Sequence, residues 1–405
     1  MTRVRTVLMD ALACAAAGRR LEPDPSLSGP EWGDLLRLAA EQEILPLVYE
    51  AAYRCRSFSA LDREVRQAYR DQAVQLAARQ VVQENEFLTL LLHAQARGLR
   101  PTVLKGAVVR ALYPVPMLRP SVDEDLLIPP GEAPAYHEFL LREGLFSDDP
   151  QSDAASDPEL SYHRENSPTY IELHMSPFPP SEAYGDCNAP FTGALDRTVE
   201  VPIQDVTVRT LAPTDHLLFL ICHAYKHFLH SGVGIRQICD MGLFVRRYRG
   251  ELDEERILSV CRELRIDQLA AALFAIGQRY LGLDGPAVFD GYDVDLDPLL
   301  EDVLSDGIYG MSDLDRAHAS TLTLDAVAAQ RTGRRRGGAL RSVFLPAGDL
   351  AGRYPYLRAR PWLLPVAWTQ RVWDYVFRQK HVHPTQSVRI GNRRIALFRR
   401  YGVID

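Results

Sequence analysis

Residues 104–128, LKGAVVRALYPVPMLRPSVDEDLLI, open with Lys-Gly, end with three consecutive acidic residues and run directly into Leu-Leu-Ile. Carboxylates set against an apolar run repel one another and are costly to bury, so the arrangement needs a physical reason. In a strand, residues two apart share a face, which projects Asp123 and Asp125 side by side, about 6.5–7 Å apart along the backbone. Like charges so placed raise one pKa, and a divalent cation reverses that cost. Mg²⁺ prefers oxygen ligands and is held by a few carboxylates together with substrate phosphates. A D-x-D pair ending a strand can therefore hold a metal–nucleotide complex, although the same pair also suits a solvated strand end or turn.

The neighbouring segments read as a small α/β core. RPTVLKG is a short apolar strand ended by a glycine turn, AVVRALYP allows one or two helical turns, and DEDLLIPP is a strand closed by two prolines. AYHEFLLREGL is an amphipathic helix, QSDAASDPEL a polar loop, PTYIELHMSPFPP another strand, and TVEVPIQDVTVRTL a hairpin. Before this core the chain reads as helices. Trp32, Leu35, Leu36, Leu38, Ala39 and Ile44 recur near helical spacing, Pro46 interrupts, and the long run beginning REVRQAYRDQ closes at Gly98 as a C-cap. Helices resume at APTDHLLFLICHAYKHFLHSG, with Asp215 as expected N-cap. The expected fold class is α+β: a small mixed-sheet core over 97–210, an N-terminal helical region over 1–96, and a C-terminal helical region over 211–405 with a Gly/Arg-rich loop near 331–341.

Two metals about 3.5–4 Å apart, each touching the attacking or leaving oxygen of an in-line displacement, need a further carboxylate. Glu172 in TYIELHMS is the candidate, on a separate strand, and His174 shares its face. Upstream, Lys105 and the turn at Gly106 can receive phosphate oxygens through an ammonium and exposed backbone N–H groups. The loop lacks the Walker pattern, which excludes a P-loop ATPase.

Taken in order, LKG, LYP, LRP, DxDLLI and IELH resemble the uncharacterised nucleotidyltransferase family of the polymerase-β-like superfamily. The resemblance extends through the N-terminal helices, LLFLICHAYKH and the late YLRARPWLLPVAWTQR segment. It implies that Asp123 and Asp125 bind Mg²⁺ (or Mn²⁺), that Glu172 completes the metal site, and that Gly106 lies in a phosphate-facing turn. Lys105, Arg119 and His174 would line the nucleotide site, with Lys105 and Arg119 reaching the triphosphate. The implied activity is transfer of an NMP from an NTP to an unidentified small-molecule, peptide or protein acceptor. The sequence departs from the superfamily at two positions. The turn is Gly106-Ala107 rather than Gly-Ser or Gly-Gly, and Glu124 stands where an apolar residue is usual. Either that strand end is exposed or Glu124 finds a buried partner.

The chain of 405 residues is 46% hydrophobic and 24% charged, a globular composition, and its formal charge of −7 argues against a general nucleic-acid binder. Six scattered cysteines without zinc-like spacing read as reduced thiols in a cytoplasmic protein. The N-terminal apolar stretch imitates a signal peptide, but Asp10 interrupts it and a helix suits it equally. No run is long enough to span a membrane as a helix. His216, His223, His227 and His230 fall on one helical face, where packing, a cleft-lining role and a metal pair at 223/227 compete. Arg331, Arg334, Arg335 and Arg336 read as a solvated loop or an anion clamp, and Trp362, Trp368 and Trp373 as core. No nucleophile elbow appears. The competing class is a non-catalytic nucleotide- or partner-binding protein that retains the fold.

Overall fold

The computed structural model describes residues 1–149, 153, 154, 157–181, 183–230, 232–305, isolated residues between 323 and 354, and 356–373 and 384–405. The first 96 residues form α1 (Arg3–Ala16), α2 (Gly29–Glu41), α3 (Leu45–Ala52), α4 (Arg56–Ser59) and α5 (Arg63–Ala96). Pro46 falls in the first turn of α3, where its missing N–H costs nothing. Asp62 caps α5 by accepting from the Glu64 N–H at 2.8 Å. At the other end Gly98 takes φ +79°, while the Leu99 N–H returns to Ala94 O at 2.9 Å, so the expected glycine termination is present.

Seven strands follow with two short helices among them: β1 (Thr102–Val103), α6 (Ala107–Arg110), β2 (Glu124–Leu127), α7 (Ala133–Arg142), β3 (Phe146–Ser147), β4 (Glu159–His163), β5 (Tyr170–His174), β6 (Thr198–Ile203) and β7 (Val206–Leu211). They make one mixed sheet of order β3-β4-β5-β2-β1-β7-β6. The β2–β5 and β1–β7 pairs are parallel, and the others are antiparallel. This is the expected α+β architecture. Strand β4 begins inside the stretch read as a polar loop; its buried Leu160 and Tyr162 alternate with Glu159, Ser161 and His163, a period-two pattern too short to stand out.

The two faces of the sheet belong to different cores. Val103, Leu126, Ile171 and Leu173 pack with Phe87 and Leu91 of α5 and with Tyr136 and Phe139 of α7. Leu104 and Leu127 pack instead into a larger core that joins α1–α3 to four later helices. These are α8 (Pro213–His230), α9 (Ile235–Tyr248), α10 (Glu254–Glu263) and α11 (Asp267–Ile276). The apolar N-terminal stretch thus forms α1, with Leu8 and Leu12 fully buried. Asp215 lies in the first turn of α8 rather than before it, buried between Arg197 and Arg256.

Later elements are α12 (Asp297–Ser305), α13 (Tyr356–Ala359), α14 (Leu364–Trp373) and α15 (Pro384–Arg400). Trp368 is only partly buried, against a small cluster of Leu350, Tyr354 and Leu357, and the Trp373 side chain lies outside the described residues. Trp362 is 73% exposed, because it falls in a short turn ahead of α14 and not on a packed helix face. The arginine run at 331–336 lies outside the described residues. All six cysteines are free thiols. Among the described residues no helix is long and apolar enough to cross a membrane.

Glu124 settles its own alternative, because it is fully buried. Strand alternation turns it away from Asp123 and Asp125, onto the α5 face. There Arg110 Nη2 donates to its Oε1 at 2.6 Å, and the Ala107 N–H donates to its Oε2 at 2.8 Å. Arg110 is also paired with Glu84 of α5. Burial pushes the Glu124 carboxyl above its ordinary range, and Arg110 opposes the shift. Gly106 holds φ +61°, and a Cβ built there would lie 1.9 Å from Glu124 Oε2, so both backbone and space require glycine. Gly106→Ala is expected to cost about 2–5 kcal/mol in urea denaturation, from left-handed strain plus overpacking. In a Glu124→Ala background, where Arg110 keeps Glu84 and Ser121 but loses one of its two carboxylates, the added cost falls to the strain alone, about 1–3 kcal/mol. Equal costs in both backgrounds would show that the two groups do not compete for the same space.

Candidate active site

The site starts from a register. Asp125 of β2 pairs with Glu172 of β5 in the parallel ladder, which sets both carboxylates on the face opposite Ile171 and Leu173. His174, two residues on, shares that face. Its Nε2 lies 3.0 Å from Asp125 Oδ1 and 3.5 Å from Glu172 Oε2, while Nδ1 lies 3.4 Å from Glu159 Oε2 on β4. Ligand atoms of Asp125, Glu172 and His174 all fall within 4.8 Å of one another. Burial favours a neutral imidazole, but hydrogen bonds to Asp125, Glu159 and Glu172 override it and hold His174 well above its usual pKa. Burial raises the Glu172 carboxyl, and the charges of Asp125 and Asp123 add to the shift. Burial also works against Asp125, yet Lys105 and His174 more than offset it and keep that carboxyl below its usual range.

Asp123 stands just before β2 and outside the tight cluster. It is tied in through Lys105, whose Nζ is 3.0 Å from Asp123 Oδ2, 3.2 Å from Asp125 Oδ2 and 3.2 Å from His223 Nε2. The ammonium thus sits between the two aspartates, where a cation relieves their repulsion. Gly106 forms the expected turn, but the Ala107 N–H within it is committed to Glu124. Arg119, expected at the triphosphate, is buried and forks onto Asp240 of α9, with Nε at 3.0 Å and Nη2 at 2.7 Å. Tyr113 donates to the same carboxylate at 2.7 Å. Lys105, Gly106, Arg119 and Asp123 nevertheless line one cleft, closed on the far side by His223 of α8 and Arg236 of α9.

The residues suit a divalent cation. Asp125 Oδ2 is buried with the Lys105 ammonium 3.2 Å away, and Glu172 supplies a second carboxylate beside it; His174, which its carboxylate partners keep protonated, would have to lose a proton before it could ligate.

Two residues of the site carried a signal that went unread. Arg236 and Asp240 stand four apart in IRQICDMGLF, on the buried side of an amphipathic helix, and charges placed there need partners. Glu159 was hidden by the polar stretch before it.

The α8 histidines do share a face, and they serve the cleft and the core. His223 contacts Lys105 and, at 3.3 Å, His227; His216 meets Thr210 Oγ1 at 3.1 Å; His230 bonds the Tyr184 hydroxyl. Among the described residues no carboxylate or thiol joins His223 and His227 into a metal-like cluster. Burial depresses all four: His216 and His230 to about 4, His227 to about 3, and His223 well below its usual value, the Lys105 charge adding to the shift at 223 and 227. Groups depressed on folding contribute full stability above the unfolded pKa, about 6.5, and lose it as pH falls towards the folded values. Unfolding at pH 5.5 should therefore take up nearly four protons at these positions, about 1.4 kcal/mol per pH unit for each. His174, protonated in both states at that pH, adds nothing. Urea titrations from pH 7 to 4.5 test this: His216→Gln should remove about a quarter of the slope, and an unchanged slope would contradict the assignment.

Comparison with curated proteins and with solved structures gives no match. A family profile described as uncharacterised nucleotidyltransferase matches residues 28–282, which takes in the helices from α2 to α11, the whole sheet and every residue of the cleft. With the buried Asp125–Glu172–His174 cluster at its centre and that profile running over more than half its length, the chain belongs to the uncharacterised nucleotidyltransferase family.

Proposed function

We propose that the protein is a Mg²⁺-dependent nucleotidyltransferase that transfers an NMP from an NTP to an acceptor outside the nucleic acids. The observation that carries this reading is the convergence of Asp125 and Glu172 on adjacent parallel strands, with Lys105 of the neighbouring cleft 3.2 Å from Asp125 Oδ2. In the reaction an acceptor oxygen bonds to the α-phosphorus, the bond from that phosphorus to the β-phosphate oxygen breaks, and pyrophosphate leaves with the electron pair. Asp123, Asp125 and Glu172 would hold the metal, which when bound supplies charge stabilisation at phosphorus and lowers the pKa of the attacking group. Glu172, less buried than Asp125 and raised in pKa, is placed to receive the acceptor's proton. Lys105 screens Asp123 from Asp125 and borders the turn where phosphate would lie. Its neighbours His223 and His227, kept neutral by burial and by its charge, add no positive charge of their own. His174 clasps Asp125 and Glu172 and fixes their orientation.

The commitment of the Ala107 N–H to Glu124 is the observation favouring the second reading, a nucleotide-binding protein without turnover. Incubation with each α-labelled NTP and Mg²⁺, with and without cell extract, separates the two. Label transfer and pyrophosphate release are expected from the wild type, and a fall of at least about 100-fold in Asp125→Asn, since even outer partners of a metal site cost 10–100-fold. EDTA should abolish both. Nucleotide binding without release would establish the second reading, and label on RNA would overturn the choice of acceptor.

A further inference from the structure

The imidazole of His174 has three carboxylates around it, and the proposed reaction uses two of them. The third belongs to Glu159, the first residue of β4, which stands directly opposite His174 in the antiparallel β4–β5 ladder. Residues so paired share a face of the sheet and hold their Cβ atoms about 4.5–5.5 Å apart. The Met175 N–H donates to Pro158 O at 3.0 Å and closes the ladder just beyond the pair, while Leu160 opposite Leu173 secures it from the apolar side. Glu159 Oε2 thus comes within 3.4 Å of His174 Nδ1. Its side chain is 32% exposed against 6% for His174, so Glu159 closes the cluster on the side open to solvent. His174 favours its ionised form there, and the Lys226 charge on α8 adds to the effect.

A histidine ring turned by half a revolution exchanges Nδ1 with Cδ2 and Nε2 with Cε1, and its broad, two-fold χ2 preference does little to separate the two orientations. Here they differ greatly. As the ring stands, Nε2 meets Asp125 Oδ1 at 3.0 Å and Glu172 Oε2 at 3.5 Å. Turned over, it would present carbon to both and leave the Asp125 oxygen without its donor. Which way an imidazole faces is set by the bond that its other nitrogen makes. We propose that Glu159 is a positioning residue of the metal site: it holds His174 by Nδ1, so that Nε2 stays on Asp125 and Glu172 and keeps both carboxylates aimed at a common cation. The assignment rests on the metal-dependent nucleotidyltransferase reading and extends the site over β2, β5 and β4. The role asks for a hydrogen-bond acceptor at the right reach and not for a charge. Glutamine supplies the same oxygen on the same stem, whereas aspartate keeps the charge and falls one methylene short.

That reciprocal pair of variants, made in the full chain, provides the test. Mn²⁺ affinity is followed by electron paramagnetic resonance, and kcat and KM by label transfer from an α-labelled NTP at saturating metal. Glu159→Gln should match the wild type in all three. Glu159→Asp should weaken Mn²⁺ and lower kcat about 10–100-fold, the usual cost of losing an outer partner of a metal site, with KM for the NTP little changed. A purely electrostatic contribution from residue 159 gives the reverse order, with Asp near the wild type and Gln impaired. A purely structural one lowers the urea midpoint of a variant without moving its Mn²⁺ affinity. Either result overturns the positioning role, as do equal impairment of the two variants and a wild type that binds no Mn²⁺. Label transfer by the wild type, with Mn²⁺ affinity and kcat undiminished in Glu159→Asp, removes the positioning role alone. Mn²⁺ affinity lost in Glu159→Asp and kept in Glu159→Gln, without label transfer by any form, removes the transferase reading and leaves the role of Glu159 standing.

Discussion

The parallel register of β2 against β5 is the constraint on which the site depends. It sets Asp125 opposite Glu172, and His174 two residues further along the same face. Side-chain direction alternates with period two, so a slip by one residue would bury Glu172 among Phe87, Tyr136 and Phe139 and turn Ile171 and Leu173 towards the cleft. The charged cluster is therefore held in place by the apolar residues interleaved with it. Leu126, Ile171 and Leu173 secure the register from one side of the sheet, and the carboxylates face the other.

The reverse face of β2 carries a second electrostatic device. Glu124, Arg110 and Glu84 form a buried ionic group beneath the glycine turn. Such groups seldom stabilise a protein more than well-packed apolar side chains would, and their better attested value lies in specifying geometry. Here the geometry specified is the turn itself. The Glu124 carboxylate fills the space a Cβ at 106 would need and draws in the Ala107 N–H. The unusual residue between the aspartates is thus a structural support for the loop that follows Lys105.

Charges around the cleft are nearly all answered by neighbours. Lys105 stands between two aspartates, Arg119 grips Asp240, and buried histidines remain neutral beside the ammonium. Around the cleft, single nitrogens of Arg119 and Arg236 at the helical wall remain without a hydrogen-bond partner. The wall is stiff because α8 and α9 share one core with the N-terminal α1–α3.

Much of this was legible in the primary structure. Period-two and period-3.6 patterns located the strands bearing Asp125 and Glu172, the α8 histidine face and the termination at Gly98, because those features depend on residues close in the chain. Strand β4 escaped, since five residues following a polar stretch carry too little pattern. The roles of Arg119, Arg236 and Glu124 escaped for a different reason: a charged side chain does not reveal whether it faces a ligand or a counter-ion. The sequence by itself determined the elements, their faces and the chemical types available at 105, 123, 125, 172 and 174. Only the tertiary structure decided that Glu172 lies beside Asp125, that Arg119 belongs to Asp240 and that Glu124 belongs to Arg110. These pairings join segments 14 to 121 residues apart, and whether each buried charge meets its partner depends on packing that no local pattern encodes.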